Sequence, residues 1–180
     1  MLILIGASAS GKTEVAKYLA NNYGIKKIIT YTTRQKRIGE QDGVDYNFIS
    51  LEEFAKLKES NFFVETTYYN KNYYGTAKKD IQDDKCVILD PNGLKEFNAL
   101  NDPRIVSVFL DCDEQTRYNR MLERKDSEEK AKMRIINDKI AFFDEHLNGV
   151  TFVVDSSKDS IQVVGDKVLN LYKSVLSTLK

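Results

Sequence analysis

Gly6-Ala7-Ser8-Ala9-Ser10-Gly11-Lys12-Thr13 is preceded by four apolar residues, Leu2 to Ile5, and followed by a pattern with helical spacing. An apolar run of this length reads as a buried strand. Glycines at both ends of the loop allow a tight turn and a close approach of backbone to ligand, with the loop N–H groups pointing inward at phosphate oxygens. The helix that follows presents its positive end to the same point. Lys12 supplies a mobile cation for the outer phosphates and Thr13 a hydroxyl for magnesium. The spacing GxxxxGK[ST] between a strand and a helix therefore predicts a nucleoside triphosphate site, with ATP as the first expected ligand.

The rest of the chain is consistent with one substantial core. It has 180 residues, 42% of them hydrophobic and 30% charged, a composition ordinary for a globular protein. Lys and Arg together number 27, as do Asp and Glu, so overall charge gives no argument for nucleic acid or an anionic membrane as partner. No apolar run approaches the ~18 residues of a membrane span. Met1 leads straight into the first strand, so we expect no targeting segment and a cytoplasmic protein. Cys86 and Cys112 lie in strand-like runs without metal-ligand spacing and read as buried thiols.

Lys12 to Asn22 reads as a helix ending before Gly24, and Ile28-Ile29 as the start of a short strand. Between Lys26 and Arg37 stand five basic residues and no acidic one, a local anion-attracting surface in a neutral protein. Leu51 to Leu57 points to a helix with Phe54 inward. Phe62 to Tyr74 is rich in side chains suited to strands. These parts make a small sheet with one helix, inserted between two βα portions of a parallel α/β domain. Strands resume at Cys86–Leu89, Ile105–Leu110 and Val150–Val154. Helices are expected at Gly93–Leu100, Asp113–Arg124, Ser127–Phe143 and Ser160–Leu179. In the last of these Ile161, Val164, Val168, Leu171 and Val175 form a stripe, read as packing on the sheet with a coiled-coil partner as the alternative.

Ligands of parallel sheets bind beyond the carboxyl ends of the strands, where Asp90 and Asp111 fall, although either could instead cap a helix or hold a loop. In the small lobe, Arg34 and Arg37 can grip a phosphate through paired hydrogen bonds, and Tyr46 and Tyr74 can add neutral donors. Glu65 is the one acid in an aromatic strand run. A carboxylate can accept both the ring N–H and the amino N–H of guanine, with Thr76 and Thr30 at other polar edges; the competing reading of Glu65 is a solvent-facing strand residue. Arg117, Arg120 and Arg124 share a helix face, and Arg134 comes from the next helix. Such arginines stabilise charge on a moving phosphoryl group when an element closes over it. A charge-laced solvated helix is the alternative. His146 lies outside these constellations and is assigned to the surface.

The residues now in view resemble the guanylate kinase family. That family shows a phosphate loop and then S-x-T-T-R-x-x-R-x-G-E-x-x-G-x-D-Y-x-F. Here Thr30-Tyr31-Thr32-Thr33-Arg34-Gln35-Lys36-Arg37-Ile38-Gly39-Glu40 continues to Gly43, Asp45, Tyr46 and Phe48. Phe63-Val64-Glu65, Asn72-Tyr73-Tyr74-Gly75-Thr76, Asp90-Pro91-Asn92-Gly93 and Asp126-Ser127-Glu128-Glu129 match further family motifs. Thr30 stands at a serine position, Pro91-Asn92 replace Val-Gln, Ile88 stands where many members have an acid, and the lid is one residue shorter.

The resemblance implies a P-loop three-layer α/β fold with a central parallel five-stranded sheet. Residues 1–30 and 82–180 would form the core, 31–81 a small mixed α/β GMP-binding lobe, and 117–134 a helical lid. It implies transfer of a phosphoryl group from ATP to GMP with Mg2+, by a monomer or homodimer. Gly6 to Thr13 would hold ATP. Thr30, Arg34, Arg37, Tyr46, Glu65, Tyr74, Thr76 and Asp90 would hold GMP. Lys12, Arg37, Arg120, Arg124 and Arg134 would act in transfer, with Thr13 on the metal. The alternatives are another small-molecule or nucleoside monophosphate kinase on this scaffold, and a non-catalytic protein-binding module. A nucleotide-hydrolysing switch is disfavoured by the absence of an N-K-x-D segment.

Overall fold

The computed structural model describes residues 1–36, 38–69, 71–143 and 147–179. Arg37 and His146 thus lie outside the described residues. The first strand, β1 (Leu2–Ile5), is wholly buried at the centre of a parallel sheet. Side chains alternate across a strand. Leu2 and Leu4 accordingly join one core, with Val15 and Leu19, while Ile3 and Ile5 join another with Leu94 and Phe97. A strand apolar on both faces requires cover on both, and a three-layer arrangement follows.

The chain leaves β1 through the glycine loop into α1 (Lys12–Tyr23), which stops at Gly24 in the left-handed region, φ 71°. Next come β2 (Lys26–Lys27) and the small sheet: β3 (Tyr31–Thr32), β4 (Asn47–Phe48), α2 (Leu51–Glu59), β5 (Phe63–Tyr69) and β6 (Asn72–Ala77). The main sheet resumes with β7 (Lys85–Leu89), α3 (Pro91–Asn98) and β8 (Val106–Asp111). Two helices, α4 (Glu114–Glu123) and α5 (Glu128–Ala141), precede β9 (Phe152–Asp155) and α6 (Ile161–Thr178). The main sheet is five-stranded, in the order β2-β7-β1-β8-β9, with every pairing parallel. The small sheet runs β4-β3-β6-β5 and is mixed, with β3 and β4 parallel and the β5–β6 hairpin antiparallel.

Several sequence readings shift by a residue or two, the last strand starting at Phe152 and not Val150, and two of the shifts have a plain cause. The edge strand is formed by Lys26 and Lys27, with Ile28 contributing only the next N–H to Cys86. The third helix begins at Pro91, two residues before Gly93, because Asp90 caps it and proline suits the first helical position. The α6 stripe packs on the sheet: Val164 and Val168 are fully buried, and Ile161, Leu171 and Val175 lie against the same core. Phe54 is 1% exposed and stacks between Phe63 and Tyr73, at 4.7 and 5.4 Å between ring centres. Cys86 and Cys112 are buried and unbridged.

Helix starts differ in one respect. Ser50, Asp90, Asp113, Ser127 and Ser160 each accept an N–H of the helix they precede. Helix α1 begins after Gly11 with no side-chain cap. Among the α-helices of the described residues, the uncapped start is the one that follows the loop.

Candidate active site

Gly6 has φ 153°, and a Cβ there would lie 2.7 Å from the Leu110 carbonyl oxygen and from Ser10 Oγ, so no larger residue fits where the loop leaves β1. Gly11, φ 97°, turns the chain into α1 and leaves its first N–H groups directed at the loop mouth. Ser156, 2% exposed, braces the loop from the end of β9: its hydroxyl lies 2.9 Å from the Ser10 carbonyl oxygen and 2.8 Å from that of Asp111.

The Lys12 ammonium folds back over its loop and donates to the carbonyl oxygens of Gly6 at 2.6 Å and Ala7 at 2.8 Å. Burial lowers its pKa to about 8; nearby Arg117 and Arg124 push the same way, and Asp138 opposes them. Thr13, exposed on the first turn of α1, opens onto the neighbouring cavity.

That cavity, about 340 Å3, lies between the two sheets. Thr13 and Asp90 line it from the core, and Thr30, Tyr46, Glu65, Tyr74 and Thr76 line it from the small-sheet side. All seven are among the residues that the sequence assigns to phosphate, guanine or metal. Lys27 and Thr67 also line it and carry no such assignment. Arg34 sits just behind Tyr46, its guanidinium 5.3 Å from that ring centre and paired with Glu40 at 2.7 Å.

Glu65 is 8% exposed, not solvent-facing. Thr76 donates to its Oε1 and Thr67 to its Oε2, at 2.7 and 3.3 Å. Burial raises its pKa, the two hydroxyls counter that, and Asp90 and Glu96 add to the rise. Asp90 spends one oxygen on the Gly93 N–H at 2.8 Å, so it both caps α3 and lines the cavity.

The four arginines of α4 and α5 separate. Arg120 reaches the loop, donating to the carbonyl oxygens of Ala9 at 3.3 Å and Ser156 at 2.8 Å. Arg124 is exposed at the end of α4, and Arg134 is exposed and paired with Asp126 at 3.2 Å. Arg117 shares a helix face with Arg120 but is 5% exposed and locked to Asp138 at 2.8 Å. Helical spacing identifies a shared face, not what that face meets, and in this structure Arg117 meets Asp138. Asp138, which also accepts from Ser8, had no sequence signal: it is one acid in a helix full of charges.

Comparison with known proteins adds the following. The family model described as guanylate kinase matches residues 1–165. A curated guanylate kinase of the Onion yellows phytoplasma is 33% identical over 141 residues, 74% of this chain and 66%, just under two thirds, of its own length. One from Saccharophagus degradans is 31% identical over 196 aligned positions, covering 94% of each chain. The crystal structure of guanylate kinase from Anaplasma phagocytophilum superposes with a TM-score of 0.70 over 97% of this chain and 84% of that one, at 23% identity, a likeness of fold.

Proposed function

This chain belongs to the guanylate kinase family, and from that premise we propose that it transfers the γ-phosphoryl group of ATP to GMP, giving ADP and GDP. The observation that carries the reading is the shared cavity. Thr13, from the triphosphate loop, and Glu65 and Thr76, matched to guanine recognition, line one space. A donor phosphate and an acceptor purine monophosphate held in that space face each other.

In this reading the loop from Gly6 to Thr13 holds the ATP phosphates through backbone N–H groups, and Lys12 turns from its own carbonyls to the outer phosphates. Glu65 accepts the N1–H and amino N–H of guanine, held in place by Thr76, with Thr30 at a further polar edge. Arg34 and Arg37 grip the GMP phosphate, helped by Tyr46 and Tyr74; Arg37 enters on the sequence motif alone. A GMP phosphate oxygen attacks the γ-phosphorus in line while the bond to the β–γ bridging oxygen breaks, and that oxygen leaves on ADP. The attacking oxygen is already largely ionised, so no strong general base is required. Arg120, Arg124 and Arg134 stabilise charge on the moving group as the lid, residues 117–134, closes and excludes water. Residues 31–81 act as the acceptor lobe on a core of 1–30 and 82–180.

The donor set suits Mg2+. Thr13 offers a hydroxyl and Asp90 a carboxylate on one cavity, while no cluster of three His, Cys, Asp or Glu exists among the described residues. Magnesium keeps waters and takes substrate phosphates with one or two protein oxygens, so a sparse set is appropriate. When bound, it neutralises charge on the β- and γ-oxygens. Among the described residues no helix is long and apolar enough to cross a membrane. A cytoplasmic role in purine nucleotide metabolism is proposed from the family alone.

An ADP-release assay with ATP and GMP, run beside AMP, dGMP, UMP and CMP, tests the reading. Turnover with GMP well above AMP, UMP and CMP is expected. Turnover with AMP and not GMP would overturn the assignment of Glu65.

A further inference from the structure

The phosphate loop is held from behind by the lid's return helix. Asp138, on α5 and 9% exposed, receives the Ser8 N–H on Oδ2 at 2.9 Å and the Ser8 hydroxyl on Oδ1 at 3.1 Å. Arg117 donates Nη1 to the same Oδ2 at 2.8 Å and its Nε to the Cys112 carbonyl oxygen at 3.1 Å. Neither side chain lines the acceptor cavity.

Ser8 lies between two residues with fixed duties. The Ala7 carbonyl takes Lys12, and Ala9, at φ 62°, offers its carbonyl to Arg120. The direction of each loop N–H depends on how these peptides are turned, and a phosphate site works through preset donor directions. A carboxylate that accepts both the backbone and the side chain of one residue leaves that residue a single orientation. Arg117 balances the charge, so the acid against the loop does not simply oppose an incoming triphosphate.

We propose that Asp138 is a positioning residue for the donor phosphates: it fixes Ser8, and with it the loop, and couples the loop to α5. The inference rests on the phosphoryl-transfer reading above. A plain packing role for the Arg117–Asp138 pair is the competing account. Replacing Asp138 alone would strand a buried guanidinium, so the comparison is made with the charge pair removed.

Arg117→Met/Asp138→Asn keeps an oxygen for the Ser8 N–H; Arg117→Met/Asp138→Leu does not. Binding of ATP without GMP is measured by calorimetry, steady-state KM values by ADP release, and folding by thermal melting. The leucine variant is expected to bind ATP about tenfold more weakly than the asparagine variant, with KM for ATP raised alike and KM for GMP within about twofold, since a donor left without its acceptor carries the loss. The asparagine variant is expected within about threefold of the wild type for ATP. If the leucine variant does not fold, Arg117→Met/Asp138→Ala serves in its place. Equal ATP affinity in both double variants, or equal losses for ATP and GMP, overturns the proposal. Wild type that binds ATP but does not phosphorylate GMP overturns the functional reading and leaves the ATP comparison to decide on Asp138; wild type that binds no ATP overturns both.

Discussion

Thr76 donates its hydroxyl to Glu65 Oε1 at 2.7 Å across the β5–β6 pair, so the buried carboxylate is oriented by a neighbour on the adjacent strand. The proposed guanine contact needs Glu65 ionised, and burial raises its pKa above the ordinary 4.5. KM for GMP is therefore expected to climb as pH falls, beginning above pH 4.5, while KM for ATP does not follow it. Glu65→Gln is expected to lose between about tenfold and about a hundredfold in kcat/KM for GMP. The sign for stability is opposite. A raised carboxyl pKa means the folded protein holds its proton more tightly than the unfolded chain, so ionisation at neutral pH works against folding. Glu65→Gln should melt a few degrees higher, and a lower melting point would contradict the burial argument.

Lys12 carries the second pH dependence. Its pKa of about 8 in the free protein means that the ammonium begins to lose its proton just above neutrality. A triphosphate favours the charged form, so binding above pH 8 must take up a proton. ATP affinity, read by calorimetry, is expected to weaken above that pH by roughly tenfold per unit, with a binding enthalpy that varies with the buffer's ionisation heat. Flat affinity to about pH 9.5 would refute the assignment. Lys12→Ala is expected to abolish transfer.

Arg34→Lys tests the acceptor phosphate grip. The variant keeps the charge but loses the planar fork and its contact with the Tyr46 ring, 5.3 Å away. KM for GMP is expected to rise about tenfold, with KM for ATP within about twofold. Arg37→Ala should act in the same direction. A variant that raised both KM values equally would place Arg34 in general packing.

Gly165→Ala tests the seam between α1 and α6. A methyl group there would overlap Tyr18 Cδ1, and that ring is held by the Tyr18 hydroxyl donating to Asp166 at 2.9 Å. Alanine favours a helix over glycine by about 1 kcal/mol. The forced shift of a packed ring outweighs this, and a net loss of about 1–3 kcal/mol in denaturant unfolding is expected. A more stable variant would show that the seam yields easily.

What could be read from the sequence was what function forces into a contiguous segment. The loop from Gly6 to Thr13 must be continuous because its backbone is the ligand-binding group, and the Thr30–Phe48 motif is nearly so. Residues whose meaning lies in a distant partner stayed silent. Ser156 reaches Ser10 across 146 positions, and Asp138 reaches Ser8 across 130. Lys26 and Lys27 looked like a basic surface, yet their backbone forms the edge strand, because at an edge the ladder sets the pairing and the side chains remain exposed. For Glu65 the sequence allows both solvent and site, since composition reveals an odd residue in a strand without revealing which face is covered.

Five helices carry their own oxygen at the start, and α1 does not. In the function proposed above, the acceptor that α1 lacks is the triphosphate itself. Saturating nucleotide at a hundred times its dissociation constant adds about 2.7 kcal/mol to a fold that binds it. On that reading a nucleotide-filled loop melts, and is cut by protease, more slowly than an empty one, and the open start of α1 is where ligand occupancy enters the stability of the fold.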